Sequence, residues 1–309
     1  MIRWRDKILL AKIETTYATD ATPTGAANAI LATEVSLNPM EGEDVSRELE
    51  RPFLGAQPTI PVDVHATLSF RVELVGSGTA GTPPGWGPLL RACGCAETVN
   101  AGTDVVYNPV SDAHEAVSIY LWIGGTRYVL LGTRGTATFR VNASGIPYIE
   151  FQFTGLFTQP SETAKVTPDV SAFQKPQVAS NANTPVFLLA GTALVMRAFS
   201  MNLGNAVEGR FLIGSEDILI TDRADQIEVT VNAVPLTTLN PYQLAADQTD
   251  VVVALTHGVG AGRISSLAVP KAQMQRPSGL ENSQGITEWP LRLVPQPDAG
   301  NDQWTLTLT

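Results

Sequence analysis

Ala29-Ile30-Leu31-Ala32-Thr33-Glu34-Val35-Ser36-Leu37-Asn38 has a second version of itself later in the chain. Ala193-Leu194-Val195-Met196-Arg197-Ala198-Phe199-Ser200-Met201-Asn202 aligns with it without a gap, 164 positions on (29 to 193). Ala29/Ala193, Ser36/Ser200 and Asn38/Asn202 are identical, and most other positions exchange one apolar residue for another. Each copy leads through a polar segment into an alternating strand. In the first, Val62, Val64, Ala66, Leu68, Phe70, Val72 and Leu74 alternate with Asp63, His65, Thr67, Ser69, Arg71 and Glu73. In the second, Ile227, Val229 and Val231 alternate with Glu228, Thr230 and Asn232. Period-two alternation is the signature of a half-buried strand, and self-similarity at a fixed spacing is that of a repeated unit. The chain is therefore expected to be two similar β units, a scaffold rather than one catalytic cleft.

Working outward, the runs Val117–Ile123, Tyr128–Leu131, Thr138–Val141 and Tyr148–Phe153 read as further strands. Gly124-Gly125 and Asn142-Ala143-Ser144-Gly145 are hairpin turns between them. One short helix is predicted at Pro88–Cys93, with proline at its first turn and Gly94 at its end. From Gln159 to Pro185 the chain is rich in Pro, Ser, Thr, Asn and Ala and loses its period, which reads as a linker. Beyond it the runs Arg210–Ile213, Asp217–Ile220, Val251–Leu255 and Trp304–Leu308 repeat the earlier order with drift. The expectation is an all-β fold with one or two short helices. It is divided into a unit over 1–160, a linker over 161–185 and a unit over 186–309. The first unit carries an N-terminal arm over about 1–24 and a long loop over about 39–61.

Bulk chemistry narrows the function. With 309 residues, 44% hydrophobic and 16% charged, the chain is long enough for one large or two ordinary cores. Thirty acidic against 20 basic residues give a net charge of −10, which disfavours stable binding to nucleic acid or to an anionic membrane. No apolar run approaches the ~18 residues of a membrane-spanning helix. The apolar stretch after Arg3, Arg5 and Lys7 is broken at Lys12 and Glu14, so it is not expected to act as a signal peptide.

Motifs for catalysis are lacking. Cys93 and Cys95, separated by Gly94, are too close for a relaxed disulfide and lack the other ligands of a zinc site. Gly76-Ser77-Gly78-Thr79-Ala80-Gly81 fits a dinucleotide fingerprint, but Pro83, Pro84 and Pro88 forbid the helix that would hold a pyrophosphate. His65, His114 and His257 are dispersed, and no nucleophile elbow, zinc-protease helix or phosphate loop occurs. No catalytic residue, cofactor or metal is expected. Glu41, Glu43, Asp44, Glu48 and Glu50 with Arg47 and Arg51 form a mixed-charge cluster in the long loop, which suits contacts with a partner surface.

Several stretches carry a resemblance in combination. They are Pro23–Leu31, Ser46–Gly55, Gly76–Gly81, Gly87–Gly94, Tyr107–Asp112 and Gly132–Thr136. Together these resemble the major tail tube proteins of long-tailed (siphovirus-type) bacteriophages. The resemblance covers most of the first half. It implies tail-tube-type β-sandwich or barrel units, two in tandem here by the internal repeat, set side by side in rings, the rings stacking into a hollow tube that delivers the DNA genome. Six unit positions from three duplicated chains imply a homotrimer with pseudo-sixfold symmetry. The partners implied are the chain itself and the tape-measure, tail-tip and tail-terminator proteins. DNA would pass without stable binding, no membrane would be involved, and the place would be the virion tail, assembled in the host bacterial cytoplasm. Glu41, Glu43, Asp44, Arg47, Glu48, Glu50, Arg51 and Phe53 are then expected at subunit or ring interfaces. Asp63, Thr67, Ser69, Glu73, Glu228, Thr230 and Asn232 are expected to face the lumen. The alternative is a secreted or surface β-sandwich that binds carbohydrate or protein, suggested by Trp86, Trp122, Trp289 and Trp304. A hydrolase using the carboxylate cluster has less support, since the cluster lies in a loop and not a cleft.

Overall fold

The computed structural model describes residues 2–309. The first half runs β1 (Lys7–Ile13), α1 (Gly25–Asn28), β2 (Ala29–Ile30), β3 (Ala32–Ser46), β4 (Thr59–Glu73), α2 (Gly87–Arg91), β5 (Cys95–Asn100) and β6 (Asp104–Pro109). It continues with β7 (Val117–Ile123), β8 (Thr126–Asn142), β9 (Tyr148–Phe157) and β10 (Ser161–Glu162). Alternation sets the faces. Ala66, Leu68, Phe70 and Val72 of β4 are buried, whereas Thr67, Ser69, Arg71 and Glu73 between them are half-buried on the other face. Gly124-Gly125 makes the two-residue turn between the paired residues Ile123 and Thr126. The runs at 128–131 and 138–141, read from sequence as separate strands, belong to one 17-residue strand, β8. Its Gly135 is not a break. A Cβ there would stand 2.5 Å from the Phe153 ring, so glycine lets the aromatic side chain lie flat on the strand.

The second half runs β11 (Val186–Leu189), β12 (Thr192–Ala193), β13 (Met196–Asn202), β14 (Asn205–Leu212), β15 (Ser215–Arg223), β16 (Gln226–Asn232) and α3 (Pro241–Ala246). Then follow β17 (Asp250–His257), β18 (Ser265–Met274), β19 (Glu281–Ser283), β20 (Ile286–Pro295) and β21 (Thr305–Leu308). Helix α3 goes beyond the one helix placed from sequence. Asn240 caps it by accepting from the Gln243 N–H at 3.1 Å, and Pro241 opens its first turn.

The pairing order repeats element by element. In the first half the neighbours run β2·β1·β7·β8·β9·β4·β3. In the second they run β12·β11·β17·β18·β20·β16·β13. The register repeats too. Leu37 stands opposite Leu68 and Leu68 opposite Phe153; Met201 stands opposite Ile227 and Ile227 opposite Leu293. A bulge interrupts β3 between Thr33 and Ser36, and β13 between Met196 and Ala198, overlapping stretches of the aligned copies. This recurrence is compatible with duplication of one unit.

The two halves are joined by strand pairing. The end of β8 pairs on one edge with β9 and on the other with β13, in the register Asn142↔Ala198, Val141↔Phe199, Arg140↔Ser200, Phe139↔Met201 and Thr138↔Asn202. Strands β3, β4, β9, β8, β13, β16 and β20 therefore form one continuous sheet spanning both halves. Its apolar face packs on β1, β7, β11, β17, β18 and β21 around a single buried cluster that includes Leu68, Phe151, Phe139, Phe199 and Leu291. The sheets stay open and do not close into a barrel: the outer edge of β3 has no partner strand.

Residues 163–185 hold no regular structure, yet they are not a free spacer. Val166 and Val170 cover Leu10, Tyr120 and Trp122 on the outer face of β1 and β7, and the Asp169 N–H donates to the Gly25 carbonyl at 2.8 Å. That cover explains why β7 is buried on both faces.

One buried acid marks the junction. Trp304, fully buried, stands edge-on to Phe139 of β8 and donates from Nε1 to Asp225 Oδ1 at 3.1 Å. Burial pushes the Asp225 carboxyl up to about 6, with Arg223 and the Trp304 N–H pulling the other way. A carboxylate whose folded pKa is raised contributes its stability below its unfolded value and loses it as pH rises through about 6. The loss is about 3 kcal/mol by linkage. Asp225→Asn keeps an acceptor for Trp304 and removes that loss. Its stability relative to the natural chain is expected to rise between about pH 4 and 7, measured by chemical denaturation; a difference independent of pH would show that Asp225 does not titrate there.

Candidate functional site

Two hairpin arms leave the continuous sheet. The segment expected as a loop over 39–61 is strand at both ends and loop only over 47–58: β3 runs to Ser46 and β4 starts at Thr59, with Ser46 opposite Thr59. The arm buries no core side chain, so it has no apolar period to read. In the second half β14 and β15 form the corresponding arm as a separate two-stranded sheet. Glu41, where the first arm starts, lies 164 positions before Asn205, where the second starts (41 to 205).

The second arm is docked and the first is not. Ile218 of β15 is fully buried; its N–H donates to the Tyr17 hydroxyl at 2.5 Å and its carbonyl accepts from Arg134 Nη1 at 2.7 Å. At the base of the arm, Asn205 Nδ2 donates to the Cys93 and Gly135 carbonyls, and Arg223 Nη2 donates to the Gly94 carbonyl at 2.7 Å. Gly94 has φ +70° and leaves no room for a side chain, since a Cβ there would stand 2.6 Å from Arg223 Nη2. The arm of the second half thus clamps the first half beside the β8·β13 joint. The first arm projects free, with Phe53 65% and Leu54 fully exposed at its tip.

The residues singled out from sequence sort onto these surfaces. Glu43, Asp44, Arg47, Glu48, Glu50 and Arg51 lie exposed along the first arm, and among the described residues none forms an ion pair. Glu41 sits lower, at the junction with the sheet. There it accepts from Asn38 Nδ2 at 2.6 Å and Thr67 Oγ1 at 3.1 Å, and lies 3.6 Å from His65 Nε2. Thr67, Ser69 and Glu73 lie opposite the core-facing positions of β4, and Glu228, Thr230 and Asn232 opposite those of β16, on the polar face of the one sheet. Asp63 stands apart in the arm, at a positive φ of 54°.

That polar face also holds arginines. Arg71 pairs with Glu34 at 2.5 Å and Glu150 at 3.5 Å, Arg140 with Glu150 at 3.2 Å, and Arg292 with Glu228 at 3.1 Å. The face is a lattice of opposite charges, not a wall of one sign. Alternation locates such residues; their sign has to be read separately.

Features considered for chemistry find structural places. Cys93 and Cys95 are free, buried thiols whose pKa burial raises. In the glycine-rich loop the Gly78 N–H donates to the Gly262 carbonyl at 2.9 Å, and a Cβ on Gly76 would stand 2.2 Å from that oxygen. Two loops from the two halves meet backbone to backbone there. Among the described residues no group of three or more His, Cys, Asp or Glu side chains is placed to hold a metal, and no helix is long and apolar enough to cross a membrane.

The described residues form an open β framework with a polar sheet face, a strand edge without a partner strand and an exposed arm. A family model described as phage tail tube protein matches residues 4–291, and the chain belongs to that family. No curated protein matches the chain. As a tail tube protein it is a structural component of the virion tail that assembles with other tail components.

Proposed function

We propose that the chain polymerises as stacked rings into the hollow tube through which phage DNA is delivered, each chain contributing two duplicated tube units, 1–160 and 186–309, tied by 161–185. The observation that carries this reading is the β8·β13 joint, where one unit's sheet already continues into another's. Three such chains supply six unit positions, a homotrimeric ring with pseudo-sixfold symmetry. In this reading the polar face lines the lumen, the arms contact neighbouring subunits or rings, and tape-measure, tail-tip and tail-terminator proteins set the ends during assembly in the host cytoplasm. Electron microscopy of the concentrated protein tests it. Hollow rings with threefold averages close to sixfold are expected; sixfold averages would overturn the two-unit chain, and monomers that stay inert on a tail-tip preparation would overturn the tube reading.

The paired charges suit a surface past which phosphates must move. An arginine already neutralised by a glutamate offers a passing phosphate little net attraction, whereas an unpaired one would hold it. Glu73→Lys with Glu228→Lys adds two cations and leaves Arg292 without its partner. Assembly is expected to proceed while DNA ejection slows several-fold at low ionic strength and recovers with salt. Ejection followed by dye release tests this, and an unchanged rate would place these residues off the DNA path.

A further inference from the structure

The joint inside the chain specifies the joint between chains. Each half presents the same two edges: the outer edge of the strand that carries the repeated decapeptide, β3 or β13, and the far edge of the strand beside β9 or β20, which is β8 or the β18–β19 pair. Inside the chain β13 of the second half occupies the edge of β8. That leaves one edge of each kind free, β3 in the first half and β19 in the second. A free edge as long as β3 is an open template for strand addition.

We propose that these two free edges join head to tail between copies of this chain, in the register that the internal joint dictates. The proposal rests on the ring reading above and gives it an address. The equivalences follow from the ladders. Arg140 stands opposite Tyr148 in the first half, and Glu281 stands opposite Glu288 in the second. Tyr148 pairs with Glu73 and Glu288 with Asn232, neighbours of the matching residues Val72 and Val231. Glu281 is therefore the counterpart of Arg140, and Leu280 that of Phe139. On the other edge Ser36 and Leu37 are the counterparts of Ser200 and Met201. Arg140↔Ser200 and Phe139↔Met201 then become Glu281↔Ser36 and Leu280↔Leu37 between copies.

Exposure agrees with this assignment. Phe139 and Met201, which meet within the chain, are 3% and 0% exposed. Their counterparts are not covered: Leu280 is 63% exposed and Leu37 only half-buried. The arms follow the same rule. The second arm clamps the turn after α2, where Cys93 and Cys95 are buried beneath it, and the corresponding turn after α3, residues 247–250, is exposed in full. That turn is where the free first arm of the next copy lies. The occupant is thus a second copy, offering β3 and its arm to β19 and α3.

Cysteine cross-linking tests the register. Residues directly opposite in an antiparallel pair have Cα atoms about 4.5–5.5 Å apart, within disulfide reach. Such pairs alternate between hydrogen-bonded and non-hydrogen-bonded positions, so the double variants L37C/L280C and S36C/E281C sample both. Both positions of the second variant are exposed, which keeps folding intact. Oxidation at tube-forming concentration is expected to give a reducible ladder of multimers ending at the closed ring, with none from either single variant. Tubes that form without a ladder in either double variant would overturn this register and leave the tube reading standing. A ladder without rings or tubes would support the joint and overturn the tube reading. Self-cross-linking of L37C alone would overturn the head-to-tail arrangement in favour of β3 meeting β3, and the absence of both tubes and ladder would overturn both proposals.

Discussion

A chain in which residues 42–64 are replaced by an Asn-Gly turn is expected to stay folded and to form no tubes. Glu41 stands opposite His65, so a two-residue turn closes the shortened hairpin in register. None of residues 42–64 belongs to the buried core, so the monomer gives up little stability. Assembly loses the whole free arm. If it docks as the second arm does, with one fully buried Ile218 and a set of backbone hydrogen bonds, each joint forfeits several kcal/mol. One buried isoleucine contributes about 1.5–3 kcal/mol and each hydrogen bond about 1. That suffices to lower association by several powers of ten. Thermal unfolding and negative-stain microscopy measure the two halves of the expectation. Normal tubes from the shortened chain would remove the arm, with Glu43, Asp44, Arg47, Glu48, Glu50, Arg51 and Phe53, from the interface.

The largest expected loss of stability lies at Trp304. Replacing it with alanine removes a fully buried indole from beside Phe139 and strands the Asp225 carboxyl without its donor. A large-to-small change of this kind costs about 3–5 kcal/mol. The thermal midpoint is expected to fall by on the order of 10 °C. Trp304→Phe restores the packing but not the hydrogen bond and is expected to recover more than half. An alanine variant that unfolds within ~2 °C of the natural chain would show that the junction does not rest on this ring.

How much of this was legible in the residues depended on whether a strand touches the core. Ala66 to Val72 and Ile227 to Val231 face it with one side, so their period was plain and fixed the sheet's two faces. The arm over 42–64 touches no core and has no period, and its Gly42, Pro52, Pro58 and Pro61 suggested a loop. Strand β8 was split in two because Gly132 and Gly135 read as punctuation, when at Gly135 the missing side chain makes room for Phe153. Helix α3 carries a legible cap, Asn240 with Pro241, but is too short to show an apolar stripe. The repeated decapeptide marked the strand that makes the internal joint. Its partner, the far edge of β8, was not legible, because alternation assigns faces and says nothing about which edges meet. The same limit applied to the polar face: its positions, Arg71 among them, followed from the period, and the ion pairs that balance its charge did not.

The β8·β13 joint also changes the kinetics by which such a particle grows. A joint within one chain closes during folding, at a rate that does not depend on concentration, whereas a joint between chains is bimolecular. In the proposed ring, with two units per chain, every second joint is made by folding alone. The proposed six-position ring then needs two bimolecular encounters before it closes, where single-unit chains would need five. The reaction order of nucleation falls accordingly, and rings can start at subunit concentrations where a chain cut between its halves would remain dispersed.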